Sequence, residues 1–167
     1  TSFCCPAAGW RVASTDNLGR HPGRSWPKIW PPVAEFYSRL TDETIHWFCA
    51  FIMKTCGHFL SIRPLRRTWR RRVSFSRGAA LRHEFIANLN RPDVLAIGLH
   101  ADEALLRKRM EAESSFLERN GGGRSCIDKF IARSLRDNDS VVENANQLGL
   151  RRVNVAEPGN LNGSPKN

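Results

Sequence analysis

The chain has 167 residues, a hydrophobic content of 41% and a formal net charge of +10. This length is enough for one domain with a buried core, and the composition does not indicate intrinsic disorder. No run approaches the roughly 18 apolar residues of a spanning helix and the first residues lack a signal-peptide layout, so we expect a soluble cytoplasmic protein without a membrane partner.

The positive charge lies entirely in the first half of the chain. Residues 1–83 hold 4 acidic and 14 basic side chains, whereas residues 84–167 hold 12 of each. No acid occurs between Glu43 and Glu84, and the segment RPLRRTWRRR (63–72) places six arginines around Trp69. Such a run binds phosphate backbones and offers an indole for base stacking, so non-specific nucleic acid is one expected partner. The favoured interpretation is a solvated basic face or a segment that is not under selection for folding.

The five cysteines do not predict a disulfide scaffold, because their number is odd and their spacing forms no framework. His46, Cys49, Cys56 and His58 have ligand chemistry for zinc. However, no CxxC motif is present and three of the four lie in an amphipathic run. Buried thiols and surface histidines are therefore the favoured interpretation, and no metal site is predicted.

In chain order, the first half predicts a strand, a loop and two helices. Trp10–Ser14 has the pattern of a short strand, and a Gly/Pro-rich loop follows it. A short helix is predicted over Val33–Leu40. Thr41 is the expected N-cap of a second helix, whose apolar spacing continues to Cys56 and which Gly57 should end.

After the basic segment, a strand at Val73–Ser76 and a helix around Leu81–Leu89 are predicted. The continuous apolar run VLAIGL at Val94–Leu99 is typical of a strand that is covered on both faces. Asp102 and Glu103 then open a further helix, because acidic residues are favoured in a first helical turn.

The last part predicts a glycine break, a long helix and a final strand. Gly121–Gly123 should form a mobile loop before a helix that runs to Leu148, with Gly149 as its C′ residue. A strand is predicted at Leu150–Val155. Strands and helices therefore alternate, which predicts an α/β fold with a mainly parallel sheet and a ligand site beyond the carboxyl ends of the strands.

Three stretches carry a resemblance to a known family. They are STDNLGRHPGRSWP (14–27), PDVLAIGLHADEALLRKRMEAES (92–114) and IDKFIARSLRDNDSVVENANQLGLRRVNV (127–155). Together they resemble the P-loop kinases of the nucleotide-kinase-like group, which includes adenylate, shikimate and gluconate kinases. The first stretch resembles most closely the small-molecule kinase-like ATPases in which a strand ends in STD-x-LGRHPGRPWP. The resemblance covers residues 10–43 and 77–156.

The resemblance implies an acceptor site in the first stretch. The acid after the strand, here Asp16, would orient or deprotonate the acceptor hydroxyl. Arg20, His21 and Arg24 would hold a small-molecule acceptor. A lone carboxylate among cations also stays ionised, which suits a base. The alternative is that Asp16 with Asn17 caps a turn.

The resemblance also implies a set of cations around the transferred phosphates of ATP, with Mg²⁺ as its companion. Arg109 is the candidate for contact with the adenine ring, and Arg133 and Arg136 would grip the phosphates from the helix after the lid. Alternatively, these last two face solvent and pair with Asp137 or Asp139. The remaining phosphate and lid candidates are Arg119 and Lys129.

The chain departs from this family in two places. No GxxxxGK[ST] motif occurs, and the strand that precedes this motif, which lies in the middle of the family's sheet, has no counterpart. Residues 44–76 are also unlike the family in composition, which either divergence or a truncated reading with an out-of-frame middle would explain. We therefore expect one incomplete P-loop NTPase-like domain over residues 1–157, a flexible tail over 158–167 and no phosphotransfer from ATP. The alternative function is a basic nucleic-acid-binding module at residues 63–72.

Overall fold

The computed structural model of the chain describes residues 11–14, 23, 28–68, 74–79 and 81–156, with side chains for all of these except 11–14, 56–68 and 74–76. A 3₁₀ turn at Phe116–Glu118 lies between its last two long helices. In chain order the strands and α-helices are β1 (Arg11–Ser14), α1 (Pro31–Arg39), α2 (Asp42–Thr68), β2 (Ser74–Arg77), α3 (His83–Ala87), β3 (Ile97–His100), α4 (Glu103–Glu113), α5 (Gly121–Gln147) and β4 (Arg151–Asn154).

The strands form two parallel pairs. β1 pairs with β2, with Arg11 opposite Ser74, and β3 pairs with β4, with Ile97 opposite Arg151. The amide of Val155 continues the second ladder by donating to the carbonyl of His100 at 2.8 Å. Among the described strands, no pairing joins one pair to the other. The structure thus combines helices with parallel strands, as the alternating sequence pattern predicts.

The main core lies between helices. α5 packs against α1 and α2, and the ring of Tyr37 meets that of Phe130 edge-on at 6.4 Å between centroids. Burial of such side chains stabilises the fold by about 1.5–3 kcal/mol each. The fully or nearly buried members of this core are Tyr37, Ile45, Cys126, Ile127, Phe130 and Ile131.

Two predicted helix caps, Thr41 and Gly149, are confirmed, and Asp102, predicted to open a helix, is the N-cap of α4. Thr41 caps α2, because its Oγ1 accepts from the amide of Thr44 at 3.2 Å. Asp102 caps α4, since its Oδ1 accepts from the amide of Leu105 at 2.8 Å. Gly149 follows α5 with a φ of +63°, and the amide of Leu150 donates back to the carbonyl of Ala145 at 2.8 Å. These two features form a Schellman motif, which requires a left-handed residue at the glycine.

The predicted end of α2 at Gly57 is wrong, because the helix continues to Thr68. A glycine inside a helix costs only about 1 kcal/mol relative to alanine. The sequence beyond it keeps apolar residues at a spacing of three to four, with Phe59, Ile62 and Leu65. The helical signal on both sides of the glycine therefore outweighs the local cost.

The predicted mobile loop at Gly121–Gly123 is also wrong, because these residues form the first turn of α5. Asn120 caps the turn, with its Oδ1 accepting from the amide of Gly123 at 2.8 Å. A first turn has free amides that such a side chain can satisfy, so the cap favours the helix despite three glycines. The chain instead changes direction between Ser114 and Asn120, where Ser115 has a φ of +53°.

Strand β3 is not covered on both faces as predicted. Leu95, Ile97 and Leu99 are exposed, and only Gly98 between them is buried. A β-carbon at Gly98 would lie 2.8 Å from Nε2 of His83, so α3 approaches the strand as closely as a glycine allows. The apolar run therefore has one packed face and one open face.

The predicted tail at 158–167 lies outside the described residues. In the part of the chain that the structure describes, no helix combines the length and the apolar character needed to cross a bilayer.

Candidate functional site

Charged side chains from the start of α3 and the middle of α5 meet in a group that we call the buried charge cluster: Arg82, Glu84, Arg133 and Asp137. Asp137 pairs with two arginines, through Oδ2 with Arg133 at 3.4 Å and through Oδ1 with Arg82 at 3.7 Å. Arg82 also lies 3.6 Å from Glu84. The side chains of Arg82 and Arg133 are only 13% and 14% exposed, so these ion pairs are largely withdrawn from water.

The cluster is loosely bonded for its degree of burial. Its ion-pair distances of 3.4–3.7 Å exceed the 2.7–2.9 Å or so of a tight charge-assisted hydrogen bond. Among the described groups, none hydrogen-bonds Nε of Arg133 or Oε2 of Glu84, although both atoms are buried. Buried polar atoms are normally satisfied by protein groups, by water or by a bound ion. The cluster therefore retains bonding capacity for a polar ligand.

Tyr37 and Cys49 bring two further helices to this cluster. Burial raises the pKa of Tyr37 to about 12, and the positive charge of Arg133 opposes that rise. Burial also acts to lower the pKa of Arg133, but Tyr37, Asp137 and Cys49 together outweigh it, so the pKa of Arg133 is raised. Arg133 is consequently a permanent cation in a mostly apolar environment, where its attraction for an anion is stronger than in water.

Phe130 connects the predicted acceptor loop with the cluster. The guanidinium of Arg133 lies over the ring of Phe130, 5.5 Å from its centroid. Gly23, from the motif HPGR, is buried against the same ring: a β-carbon there would lie 2.2 Å from Cε1 of Phe130. Only a glycine permits this approach. Gly23 and the guanidinium of Arg133 thus contact the same ring.

The segments that follow three strands contact one stretch of α5. Gly23 follows β1 and packs on Phe130. Arg82 follows β2 and pairs with Asp137. Ala101 follows β3 directly, and its amide and carbonyl bond the side-chain amide of Asn138 at 3.2 and 3.1 Å. Ligands of parallel α/β sheets bind beyond the carboxyl ends of the strands, so residues 130–138 occupy the expected place.

Most of the predicted acceptor site lies outside the described residues. This applies to the proposed base Asp16 and to the acceptor-binding candidates Arg20, His21 and Arg24. Gly23 alone represents this motif in the structure, where it contacts Phe130.

The predicted phosphate and lid residues are not brought together as one group. Arg133 belongs to the buried charge cluster and pairs with Asp137, but it does not face solvent as the alternative interpretation expected. Lys129 donates from Nζ to the carbonyl of Leu40 at 2.6 Å, at the end of α1.

The three remaining candidates lie apart from this cluster. Nε of Arg119 donates to the carbonyl of Ser114 at 3.1 Å, in the turn before α5. Arg136 is exposed on α5, and Arg109 is exposed on α4.

Sequence reasoning missed Arg82 and Glu84. Arg82 lies just before α3 and Glu84 lies in its first turn, in the stretch LRHE after β2. Their part in the cluster depends on how α3 packs against α5. The available signal was positional: polar residues soon after the carboxyl end of a parallel strand. His83 between them is buried, and burial lowers its pKa.

The described side chains fit a phosphoryl group better than a divalent cation. Arg82 and Arg133 carry permanently charged, planar guanidinium groups, which can donate bidentate hydrogen bonds to a phosphate. Asp137 and Glu84, the acids available for Mg²⁺, already pair with these arginines. Among the described side chains, no three of the His, Cys, Asp and Glu type meet in a way that would hold a metal ion. Comparison of the chain with protein-family models, with curated proteins and with solved structures found no match.

Proposed function

We propose that the chain is a small-molecule kinase-like domain of the P-loop type that lacks its phosphate-binding loop. In this proposal it binds a phosphorylated small molecule at the buried charge cluster and does not transfer phosphate from ATP. The observation that carries the proposal is the convergence of the segments after β1, β2 and β3 on residues 130–138 of α5. This arrangement supports a ligand site at the carboxyl edge of a parallel sheet.

The strand pairing also supports a kinase-like origin. Two separate parallel pairs are unusual, because parallel sheets are normally larger and covered on both faces. A single parallel strand between β2 and β3 would join the pairs into one five-stranded sheet. The family's strand before the GxxxxGK[ST] loop occupies such a central position, and the sequence contains no counterpart of that loop.

The chemistry proposed for the site is anion binding by exchange. Asp137 neutralises Arg133 and Arg82 in the absence of ligand. A phosphate that approached these guanidiniums would accept shorter, bidentate hydrogen bonds from them and would displace the carboxylate of Asp137. Without the backbone amides and lysine of a phosphate-binding loop, the donor phosphates have no cradle, and positioning supplies most of the rate in phosphoryl transfer. Binding without turnover is therefore expected.

Calorimetric titration with inorganic pyrophosphate, together with an ATP turnover assay with and without Mg²⁺, tests the proposal. Arg133→Met should weaken pyrophosphate binding about tenfold or more, because a hydrogen bond to a charged group contributes about 1.5–3 kcal/mol. Arg107→Gln is the matched control, since Arg107 is an exposed arginine that pairs with Glu103 on α4. Equal losses in both variants would remove the proposed site. Mg²⁺-dependent ATP turnover that Arg133→Met abolishes would refute the proposed inactivity.

The exchange step has a test of its own. Asp137→Asn removes the competing carboxylate and should increase pyrophosphate affinity relative to the unmodified chain, while Asp128→Asn, an exposed change on the same helix, should not. A decrease in affinity with Asp137→Asn would show that Asp137 holds the arginines in place for the ligand instead of competing with it.

The alternative from the sequence, nucleic-acid binding through residues 63–72, stays a prediction. The described side chains include none of this segment. Its test is the affinity for single-stranded DNA, which should fall steeply with salt and should be lost when the six arginines are replaced with glutamine. Salt-independent binding would exclude it.

A further inference from the structure

Helix α2 exposes an apolar face at the edge of the core, where Phe48 also meets the ring of Phe36 at 5.5 Å between centroids. Trp47 and Phe51 are 69% and 63% exposed, and Phe48 and Ile52 beside them are also exposed. The adjacent side of the same helix supplies Ile45 and Cys49 to the core, since Ile52 lies seven residues after Ile45 and three after Cys49. We call the outward residues Trp47, Phe48, Phe51 and Ile52 the outer face of α2. Contiguous exposed apolar surface of this kind usually marks an interaction site.

Beyond this face, the sequence of α2 adds positive charge. The helix has 27 residues, so it extends over about 40 Å. Its acidic residues lie in the first turn, and from there to Glu84 the chain has nine Lys or Arg and no acid. Three of these bases, Arg63, Arg66 and Arg67, lie in the last two turns of the helix. A partner for this helix must accept an apolar face and carry negative charge.

We propose that the outer face of α2 binds the surface of an anionic phospholipid bilayer, with the helix lying along the interface. Helices that lie in the interface carry Trp, Phe and aliphatic residues on one face and are flanked by Lys and Arg. Clusters of bases beside such a helix bind phosphatidylserine-type headgroups. The expectation of no membrane partner was drawn from the lack of a spanning segment, and this mode of binding needs none.

Side-chain chemistry favours a bilayer over nucleic acid for this face. Bases stack on aromatic rings, but Ile52, exposed among the aromatic residues, offers no ring, and the sequence adds Ile62 and Leu65 farther along the helix. The boundary between headgroups and acyl chains accepts aromatic and aliphatic side chains alike. The face is also distinct from the buried charge cluster, because Cys49, which interacts with Arg133, packs against the core and is not a member of the outer face.

Co-sedimentation of the full chain with vesicles tests the proposal. Vesicles of phosphatidylcholine with phosphatidylserine should bind the chain, vesicles of phosphatidylcholine alone should bind it far less, and salt should weaken the binding. The double variant Trp47→Ser/Phe51→Ser should lower the partition coefficient at least about tenfold, since it removes two large apolar side chains from the interface. The triple variant Arg63→Gln/Arg66→Gln/Arg67→Gln should lower it about fivefold for each arginine on the anionic vesicles.

Leu117→Ser is the matched control, because Leu117 is 81% exposed on the turn before α5 and does not belong to α2. It should leave vesicle binding unchanged, and circular dichroism should show the same helix content in all variants. Equal binding to neutral and anionic vesicles, or an unchanged partition coefficient in the double variant, overturns the proposal. Light scattering that shows a dimer lost in the double variant, without vesicle binding, assigns the face to self-association. Binding to single-stranded DNA but not to vesicles assigns it to nucleic acid.

Discussion

Substitution of Gly23 with alanine tests whether the acceptor loop is anchored on α5. The new β-carbon would lie 2.2, 2.6 and 2.9 Å from three ring atoms of Phe130. Real β-carbons do not approach this closely, so either the ring or the loop must move. The ring is only 7% exposed and packs edge-on against Tyr37, so its movement disturbs the main core.

The size of the effect follows from two opposing contributions. Overpacking of a filled core costs about 1–3 kcal/mol. Alanine in place of glycine stabilises the folded state by about 0.4–1 kcal/mol, because it lowers the conformational entropy of the unfolded chain. We therefore expect Gly23→Ala to lower the free energy of unfolding by about 1–2 kcal/mol, measured by urea denaturation.

Two further variants separate the contact from a general effect of alanine. Gly121→Ala adds a β-carbon that meets nothing within 4 Å, at the start of α5, and should be neutral or stabilising by up to about 1 kcal/mol. Phe130→Leu removes part of the ring and should make Gly23→Ala less costly in a double-mutant cycle. A Gly23→Ala variant as stable as the unmodified chain, or additive effects in the cycle, would refute the anchoring of the loop on Phe130.

Three further predictions concern single residues. Tyr37 is the chain's one tyrosine, so phenolate absorbance should report its pKa of about 12 directly. The free energy of unfolding should fall between about pH 10 and 12, because the unfolded state loses the phenolic proton at a lower pH than the folded state. Ionisation near pH 10 in the folded protein would contradict the burial of Tyr37. Lys129→Met removes the bond to the carbonyl of Leu40 and should lower the free energy of unfolding by about 1 kcal/mol in urea, whereas exposed Lys108→Met should not. Gly149→Ala places a side chain at a φ of +63° and should lower the thermal midpoint, at a cost of about 1–2 kcal/mol; an unchanged midpoint would mean that the Schellman turn contributes no stability.

Some helix ends could be predicted from the sequence because they depend on local hydrogen bonds. Thr41, Asp102 and Gly149 each act within four residues of themselves, so a short stretch of sequence contains the whole cap. The glycines at 57 and 121 misled the prediction for a related reason. Glycine lowers helix propensity, but the apolar spacing beyond Gly57 and the Asn120 cap before Gly121 both favour a helix.

The candidate site was less predictable, because it depends on contacts between distant segments. Arg133 could be selected from its place on a helix, but its burial depends on Tyr37, Cys49 and Arg82, which come from three other helical segments. The open face of β3 has the same origin. An apolar run predicts that a strand is buried, but whether a neighbour covers each face is decided by the whole fold.

The main core is formed by segments that the ribosome synthesises far apart in time. Tyr37 and Ile45 are buried against Ile127 and its neighbours, which the ribosome adds roughly eighty residues later. At a translation rate of about 5–20 residues per second, α5 is synthesised about 4–16 s after the helices α1 and α2 that it covers. During that interval their apolar side chains, and the outer aromatic residues of α2 with them, are open to chaperones and to aggregation. A ribosome-bound chain stopped before residue 121 should therefore be a stronger chaperone substrate than the released full chain.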